Sequence, residues 1–336
     1  MSNSSTPLIT IAMPFKNRCW VLPYVLRSIE QQDYPKKRIK LIFIDNYSTD
    51  CSYELLSKWV KAKRNEYYDV VLVRSEGNIP RLRNECLKYS EGTYILFWDS
   101  DVVAPPCAVK TLVNVAEHFK DAGAVVATFK YEDLNYVPLI ESSRCEDINI
   151  REVSGVGLAF TLIRREVFSV IGYFNEFFDV GEDTWFSYAL REKTWLKHYR
   201  VGLEVLHVKH RDQIIPRATQ SMRRWLSFCF YKRAEGYLQS FESLPRHLKI
   251  RVFYWLLLPP LIAVSTYVLI AETYLLFRIA GLFALLLYLL ASILPLIREL
   301  GFVKGIKQWF TFNVPTGIAI SYGMIHALLK RFKHIR

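Results

Sequence analysis

The run Thr93-Tyr94-Ile95-Leu96-Phe97-Trp98-Asp99-Ser100-Asp101 decides how this chain is read. A short apolar strand delivers two carboxylates, one residue apart, at its carboxyl end. That end is the edge at which open α/β sheets bind ligands. Two carboxylates this close repel each other unless a cation sits beside them. Hard cations such as Mg2+ take oxygen ligands and are usually shared with substrate phosphates. The spacing therefore predicts a divalent cation holding a diphosphate. The competing reading, two solvated acids in a loop, is the one an isolated Asp-x-Asp favours.

Outward from this run, strand-like and helix-like segments alternate. Residues 8–13, 40–44, 70–73, 94–98 and 124–128 are short and rich in β-branched and apolar types. Residues 21–32, 55–62, 80–89 and 109–119 place apolar side chains at helical spacing. Such alternation predicts a mostly parallel sheet with right-handed crossovers, an α/β fold. Neither Gly-x-Gly-x-x-Gly nor Gly-x-x-x-x-Gly-Lys follows the first strand. A nucleotide on this sheet would be held by side chains and a metal.

Of the 336 residues 51% are apolar, and most of the excess lies after residue 252. Residues 253–271 carry no charge and as a helix would span roughly 28 Å. Residues 275–297 contain one, Arg278. Together they predict a transmembrane hairpin. Lys249 and Arg251 precede it, and Arg298, Lys304 and Lys307 follow, so both flanks are expected to be cytoplasmic. The expected organisation is a globular domain over 1–235, a basic linker over 236–252, the hairpin over 253–297, and an interfacial, re-entrant or third membrane segment over 298–336.

The net charge of +12 is concentrated. From Lys197 to Arg251 there are twelve Lys and Arg against four Asp and Glu. Next to apolar spans, such a collar fits an anionic bilayer or a phosphate-bearing substrate, and nucleic acid is not expected. The six cysteines have no Cys-x-x-Cys spacing, which argues against structural zinc and against a disulfide framework. A reducing, cytosolic setting follows as the simple expectation. No cleavable signal is visible, because Pro14 stops the first apolar run and no basic region precedes it.

Several motifs fall in one order. The first strand runs through Met13-Pro14-Phe15-Lys16-Asn17-Arg18, and the second through Ile44-Asp45-Asn46-Tyr47-Ser48-Thr49-Asp50. Arg81, Arg83 and Asn84 follow on a helix, then Asp99-Ser100-Asp101, Gly181-Glu182-Asp183 and His207. This order resembles the family 2 glycosyltransferases over about residues 8–230. The resemblance implies the GT-A fold and inverting transfer from a nucleotide sugar, UDP-linked ahead of GDP-linked. Asn46 and Tyr47 depart from the Asp-Gly of the family.

By that resemblance Pro14, Asn17, Asp45, Arg81, Arg83, Asp99 and Ser100 bind the nucleotide sugar, with Asp45 on the base. Asp101, Asp99 and His207 hold Mg2+ or Mn2+, and Asp183 is the general base. Each has a plainer reading: a turn-forming Asp45, a solvated Arg81, a structural His207, and Asp183 as a helix N-cap. Glu182, Arg224 and Trp225 are expected on the acceptor or phosphate side. Arg223-Arg224-Trp225 is similar to the Gln-x-x-Arg-Trp of processive members, but Gln220 is one residue too far away. The expectation is a multi-pass membrane enzyme with its catalytic domain on the cytoplasmic face and a lipid-linked saccharide as acceptor. A polyprenyl-phosphate monosaccharide synthase is the alternative within the class. A non-catalytic nucleotide-sugar-binding membrane scaffold is the alternative outside it.

Overall fold

In the computed structural model the described residues are 6–143, 145, 148–179, 181–209, 234–246, 248–250 and isolated positions between 252 and 286. The chain divides into two compact units, residues 1–217 and 218–336. The first begins with four parallel strands in the order β3-β2-β1-β4. These are β1 (Ile9–Phe15), β2 (Ile39–Asp45), β3 (Asp69–Arg74) and β4 (Tyr94–Trp98). Every residue of β1, β2 and β4 is buried, the mark of parallel strands covered on both faces. Their carboxyl ends share one edge, with Phe15 opposite Asp45 and Ala12 opposite Phe97.

Three helices cross over between these strands: α1 (Leu22–Glu30), α2 (Ser52–Lys63) and α3 (Ile79–Tyr89). The inward face of α1 is Leu22, Val25, Leu26 and Ile29, the stripe that the sequence spacing predicts. Helix α3 starts where Asn78 Oδ1 accepts from the Arg81 amide at 3.2 Å. The turn into β4 needs glycine. Gly92 has φ +85°, and a Cβ there would lie 2.2 Å from the Leu8 carbonyl oxygen.

Beyond β4 the sheet changes sense. The short β5 (Val102–Val103) is followed by α4 (Ala108–His118), β6 (Ala122–Glu132) and α5 (Val137–Glu141). Then come β7 (Ile150–Val153), β8 (Phe160–Arg164), α6 (Val167–Ile171), α7 (Glu182–Lys193) and β9 (Lys197–Val208). β8 is antiparallel to both β4 and β6, and β9 runs parallel to β6 but antiparallel to β5 and β7. The sheet is thus mixed, not mostly parallel. β8 enters between β4 and β6 from the opposite direction, a non-local pairing that local spacing does not encode.

The cysteines are a second correction. Cys19 is bonded to Cys51 and Cys107 to Cys145, with Cα atoms 5.4 and 6.1 Å apart. The loop after β1 and the start of α2 meet because β1 and β2 are parallel neighbours. Two bridges remove the argument from scattered cysteines to a reducing compartment.

Among the described residues no helix is long and apolar enough to cross a membrane. The expected hairpin over 253–271 and 275–297 lies outside the described residues apart from isolated positions, and the segment over 298–336 lies wholly outside them. In the second unit, the short helix α8 (Ala234–Gln239) leads to a single 3-10 turn at Phe241–Ser243. Tyr237 and Leu248 are fully buried there.

Candidate active site

The Asp99–Asp101 turn is pinned from both sides. The Trp98 indole N–H, wholly buried, donates to the Val102 carbonyl at 2.7 Å. The Asp99 amide donates to Ala159 O at 2.8 Å, and the Val102 amide donates back to Asp99 O at 3.0 Å. β5 then lies against β9 with Val102 opposite His207, and the Val208 amide donates to Asp101 O at 2.8 Å. A histidine more than a hundred residues away thereby stands beside Asp101. His207 Nε2 is 3.1 Å from Asp101 Oδ1, and an Arg18 guanidinium nitrogen is 3.3 Å from Asp101 Oδ2.

Arg83 holds the other acid. Its side chain, 4% exposed, lies 3.3 Å from Asp99 Oδ1 and also pairs with Glu182. Burial disfavours that guanidinium, but Glu182 and Asp99, with Asp183 also contributing, more than offset it and hold the proton more firmly. The two aspartates are split. Burial and the charge of Asp101 push Asp99 above the usual carboxylate range, against the pull of Arg83. Burial also raises Asp101, but the hydrogen bond from His207 and the charges of His207 and Arg18 bring it below that range. The two carboxyls are thus pushed apart, Asp99 up and Asp101 down.

Asp45 is fully buried at the end of β2. One carboxylate oxygen accepts from the Ser48 amide at 3.0 Å, and the other meets Arg74 Nε at 3.0 Å. Arg74 in turn lies over the Tyr53 ring at 3.7 Å. Asn17 has φ +52° and ties the first two loops together. Its Oδ1 accepts from the Thr49 amide at 2.8 Å while its own amide donates to Ser48 Oγ at 3.0 Å. Tyr47, where the family pattern has glycine, sits at φ +49°. A bulky residue is uncommon in that left-handed region.

Asp45 closes β2 and Asp101 follows β4. β1 lies between β2 and β4, so the Asn17-Arg18 segment bridges them. Pro14 is buried in β1, and Ser100 is buried in the pinned turn. Arg81 is exposed on α3, its backbone capped by Asn78, and no described ion pair joins it to the acids. Helix α7 begins at Glu182, with Gly181 at φ +102° in the capping position. Asp183 is thus the second residue of the helix and not its cap. Its Oδ1 accepts from the Thr184 amide at 2.6 Å. Arg224 and Trp225 lie outside the described residues.

The donor set of Asp99, Asp101 and His207 suits Mg2+ or Mn2+, because a hard cation takes one or two carboxylates and fills its shell from phosphate and water. As the side chains stand, no three metal-type groups among the described residues form a closed cage. The Arg18 guanidinium brings positive charge to one oxygen of Asp101, and His207 Nε2 stands against the other. Sequence reasoning missed Arg18 as an Asp101 partner, and it missed Tyr131, whose ring centre lies 5.2 Å from that of His207. The Asn-Arg pair after β1 could have flagged Arg18. Nothing in the sequence marks Tyr131.

Several known proteins are similar. A segment of 65 residues, 19% of this chain, is 38% identical to a glycosyltransferase 25 family member of Drosophila melanogaster and covers 11% of it. A poly(ribitol-phosphate) beta-glucosyltransferase of Bacillus spizizenii is 33% identical over 96 residues, 28% of this chain and 14% of that protein. The matches therefore span only a small part of these relatives. Among solved structures, a mannosyltransferase of Pyrobaculum calidifontis in complex with GDP-Man and Mn2+ shares the fold at a TM-score of 0.54. It is 15% identical, with 98% of this chain and 88% of that one covered. Residues 10–172 match the model for Glycosyl transferase family 2, and this stretch, just under half of the chain, carries Asp45, Arg83, Asp99 and Asp101 and is a glycosyltransferase domain of that family.

Proposed function

We propose that this protein moves a sugar from a nucleotide-sugar donor, a UDP-sugar ahead of a GDP-sugar, onto a lipid-linked saccharide at a membrane. The observation that carries the reading is the pair of ion networks Arg18–Asp101–His207 and Arg83–Asp99–Glu182 at the carboxyl edge of the parallel strands. They concentrate anionic ligands and matching cations where an α/β sheet binds a diphosphate. The Bacillus relative, a beta-glucosyltransferase by name, supports a sugar-transfer reaction. The uncharged stretch 253–271, the stretch 275–297 and the basic collar before them support attachment to a bilayer.

Asp45, at the end of β2, faces the base, where a carboxylate accepts the N3–H of uracil. Asp101, with Asp99 and His207, would hold Mg2+ or Mn2+, which when bound neutralises the charge developing on the departing diphosphate. Asp183 takes the proton of the acceptor hydroxyl as that oxygen bonds to the anomeric carbon. The bond from that carbon to the diphosphate breaks, and its electron pair leaves with the nucleoside diphosphate. One displacement inverts the centre and needs no second nucleophilic acid. Arg83 fixes Glu182, the neighbour of Asp183, so the base is delivered on a rigid helix start.

The test is release of nucleoside diphosphate from a panel of nucleotide sugars, with wild type and Asp183→Asn. The variant is expected to bind donor normally and to transfer to a hydroxyl acceptor about 10²- to 10⁴-fold more slowly. Undiminished turnover by Asp183→Asn removes that residue from the reaction, and no release from any donor removes the transferase reading.

A further inference from the structure

β6 and β9 run on past the sheet core as a parallel pair, and there Tyr131 stands directly across from His207. Tyr131 is 49% exposed although its ring packs on His207 at 5.2 Å and on Phe129 at 6.4 Å. Phe129 and Tyr131, two apart on a strand, share one face. The backbone beneath the ring is fixed, because the Lys209 ammonium donates to the Tyr131 carbonyl and the Lys209 amide donates to Glu132 O at 2.9 Å. A large aromatic face is thus held open to solvent on a rigid strand beside the Asp101–His207 pair.

Its side of the sheet matters. Along the order β3-β2-β1-β4-β8-β6-β9-β5, Asp45 lies on one flank of the Asp99–Asp101 turn and Tyr131 on the other. With the base at β2 and the diphosphate at the turn, whatever attacks the donor arrives over β6 and β9. We propose that Tyr131 is the platform for the acceptor, on which a sugar ring lays its C–H face, so that the acceptor is a saccharide and not a bare lipid phosphate. This rests on the transferase reading above.

The chemistry follows from charge. The face of an aromatic ring is the negative part of its quadrupole, and the axial C–H bonds of a pyranose are its slightly positive, apolar side. A phosphate offers no such face, and Arg18 and His207, the groups beside the ring that would draw one, already stand against Asp101. The nearby ammonium groups are engaged elsewhere. Lys130 is bound to the Tyr136 hydroxyl and lies 3.9 Å from Glu204, while Lys209 is on the backbone.

Full-length protein with Mn2+ and either UDP or GDP is titrated with octyl glycosides of glucose, galactose and N-acetylglucosamine, and separately with octyl phosphate. Saturation-transfer NMR reads which protons touch the protein. At least one glycoside is expected to bind through the C–H protons of one ring face. Tyr131→Ala should weaken it about tenfold or more, and Tyr131→Phe and Tyr131→Trp should keep it within about threefold. Octyl phosphate should not distinguish wild type from Tyr131→Ala. Glycoside affinity unchanged in Tyr131→Ala, no glycoside bound, or a Tyr131 dependence seen with octyl phosphate instead would each overturn the proposal. Nucleotide titration separates the two levels. Nucleotide bound without a Tyr131-dependent glycoside refutes only the platform, whereas neither UDP nor GDP bound refutes the transferase reading and the platform with it.

Discussion

Replacing Arg83 by methionine keeps much of its volume and removes the one cation shared by Asp99 and Glu182. The guanidinium is 4% exposed, Glu182 14% and Asp99 30%, so water does little to screen the loss. Breaking a buried pair by removing one partner costs about 3–5 kcal/mol, because the charge left behind is uncompensated. For a unit of this size, about 2–4 °C of melting temperature per kcal/mol, Arg83→Met should melt about 6–20 °C lower. Two further variants isolate the cause. Glu182→Gln made in the Arg83→Met background should restore part of the loss, a coupling of about 0.5–3 kcal/mol. Arg83→Lys should fall between, since an ammonium on a flexible stem cannot fork to two carboxylates. Thermal and urea unfolding followed by circular dichroism give these values. A melting point for Arg83→Met within about 2 °C of wild type would refute the reasoning, given that scale. So would strict additivity of the two substitutions.

Two other expectations concern stability. His198 is 1% exposed, and neither ring nitrogen has a hydrogen-bond partner among the described residues. Burial first, and Arg191 second, push its pKa down to about 4 from the ordinary 6.5. Above pH 6.5 the ring is neutral folded or unfolded and contributes no pH dependence. Between 6.5 and about 4 only the unfolded chain takes the proton, so stability falls on acidification, by about 2–4 kcal/mol in all. His198→Phe, which keeps the edge contact with Phe186, should flatten that part of the urea-midpoint profile, and a profile of unchanged slope would count against a neutral buried ring. The Cys19–Cys51 bridge closes a loop of sequence separation 32, which the chain-entropy model values at about 3–4 kcal/mol. Cys19→Ser with Cys51→Ser should lower the urea midpoint accordingly, and peptide mapping without reductant should recover Cys19 joined to Cys51. Free thiols at both positions would disprove the pairing.

Most of the first unit was legible in the sequence because its central strands are unbroken apolar runs. β1, β2 and β4 are buried on both faces, so no alternation was needed to find them. α1 and α3 carry their helical stripes and begin beside prolines. The acids at strand ends were legible for a related reason: a carboxylate directly after a buried strand must lie at the sheet edge. What stayed hidden is non-local. The far end of β6 alternates Phe129, Lys130, Tyr131 and Glu132 on an extension beyond the core, and its partner in β9 is reached through register shifts. No local pattern pairs Tyr131 with His207. The two disulfides and the Arg18–Asp101 contact depend likewise on which loops the strand order brings together.

The central claim is that the carboxyl edge of the parallel strands holds a nucleoside diphosphate through Asp101 and a divalent cation. Calorimetric titration of UDP and GDP into wild type and Asp101→Ala, each with Mn2+ and with chelator, tests it most directly. Binding that requires Mn2+ in wild type and is lost in Asp101→Ala is the predicted result. Nucleotide binding that persists under chelator, or that Asp101→Ala leaves intact, would contradict it.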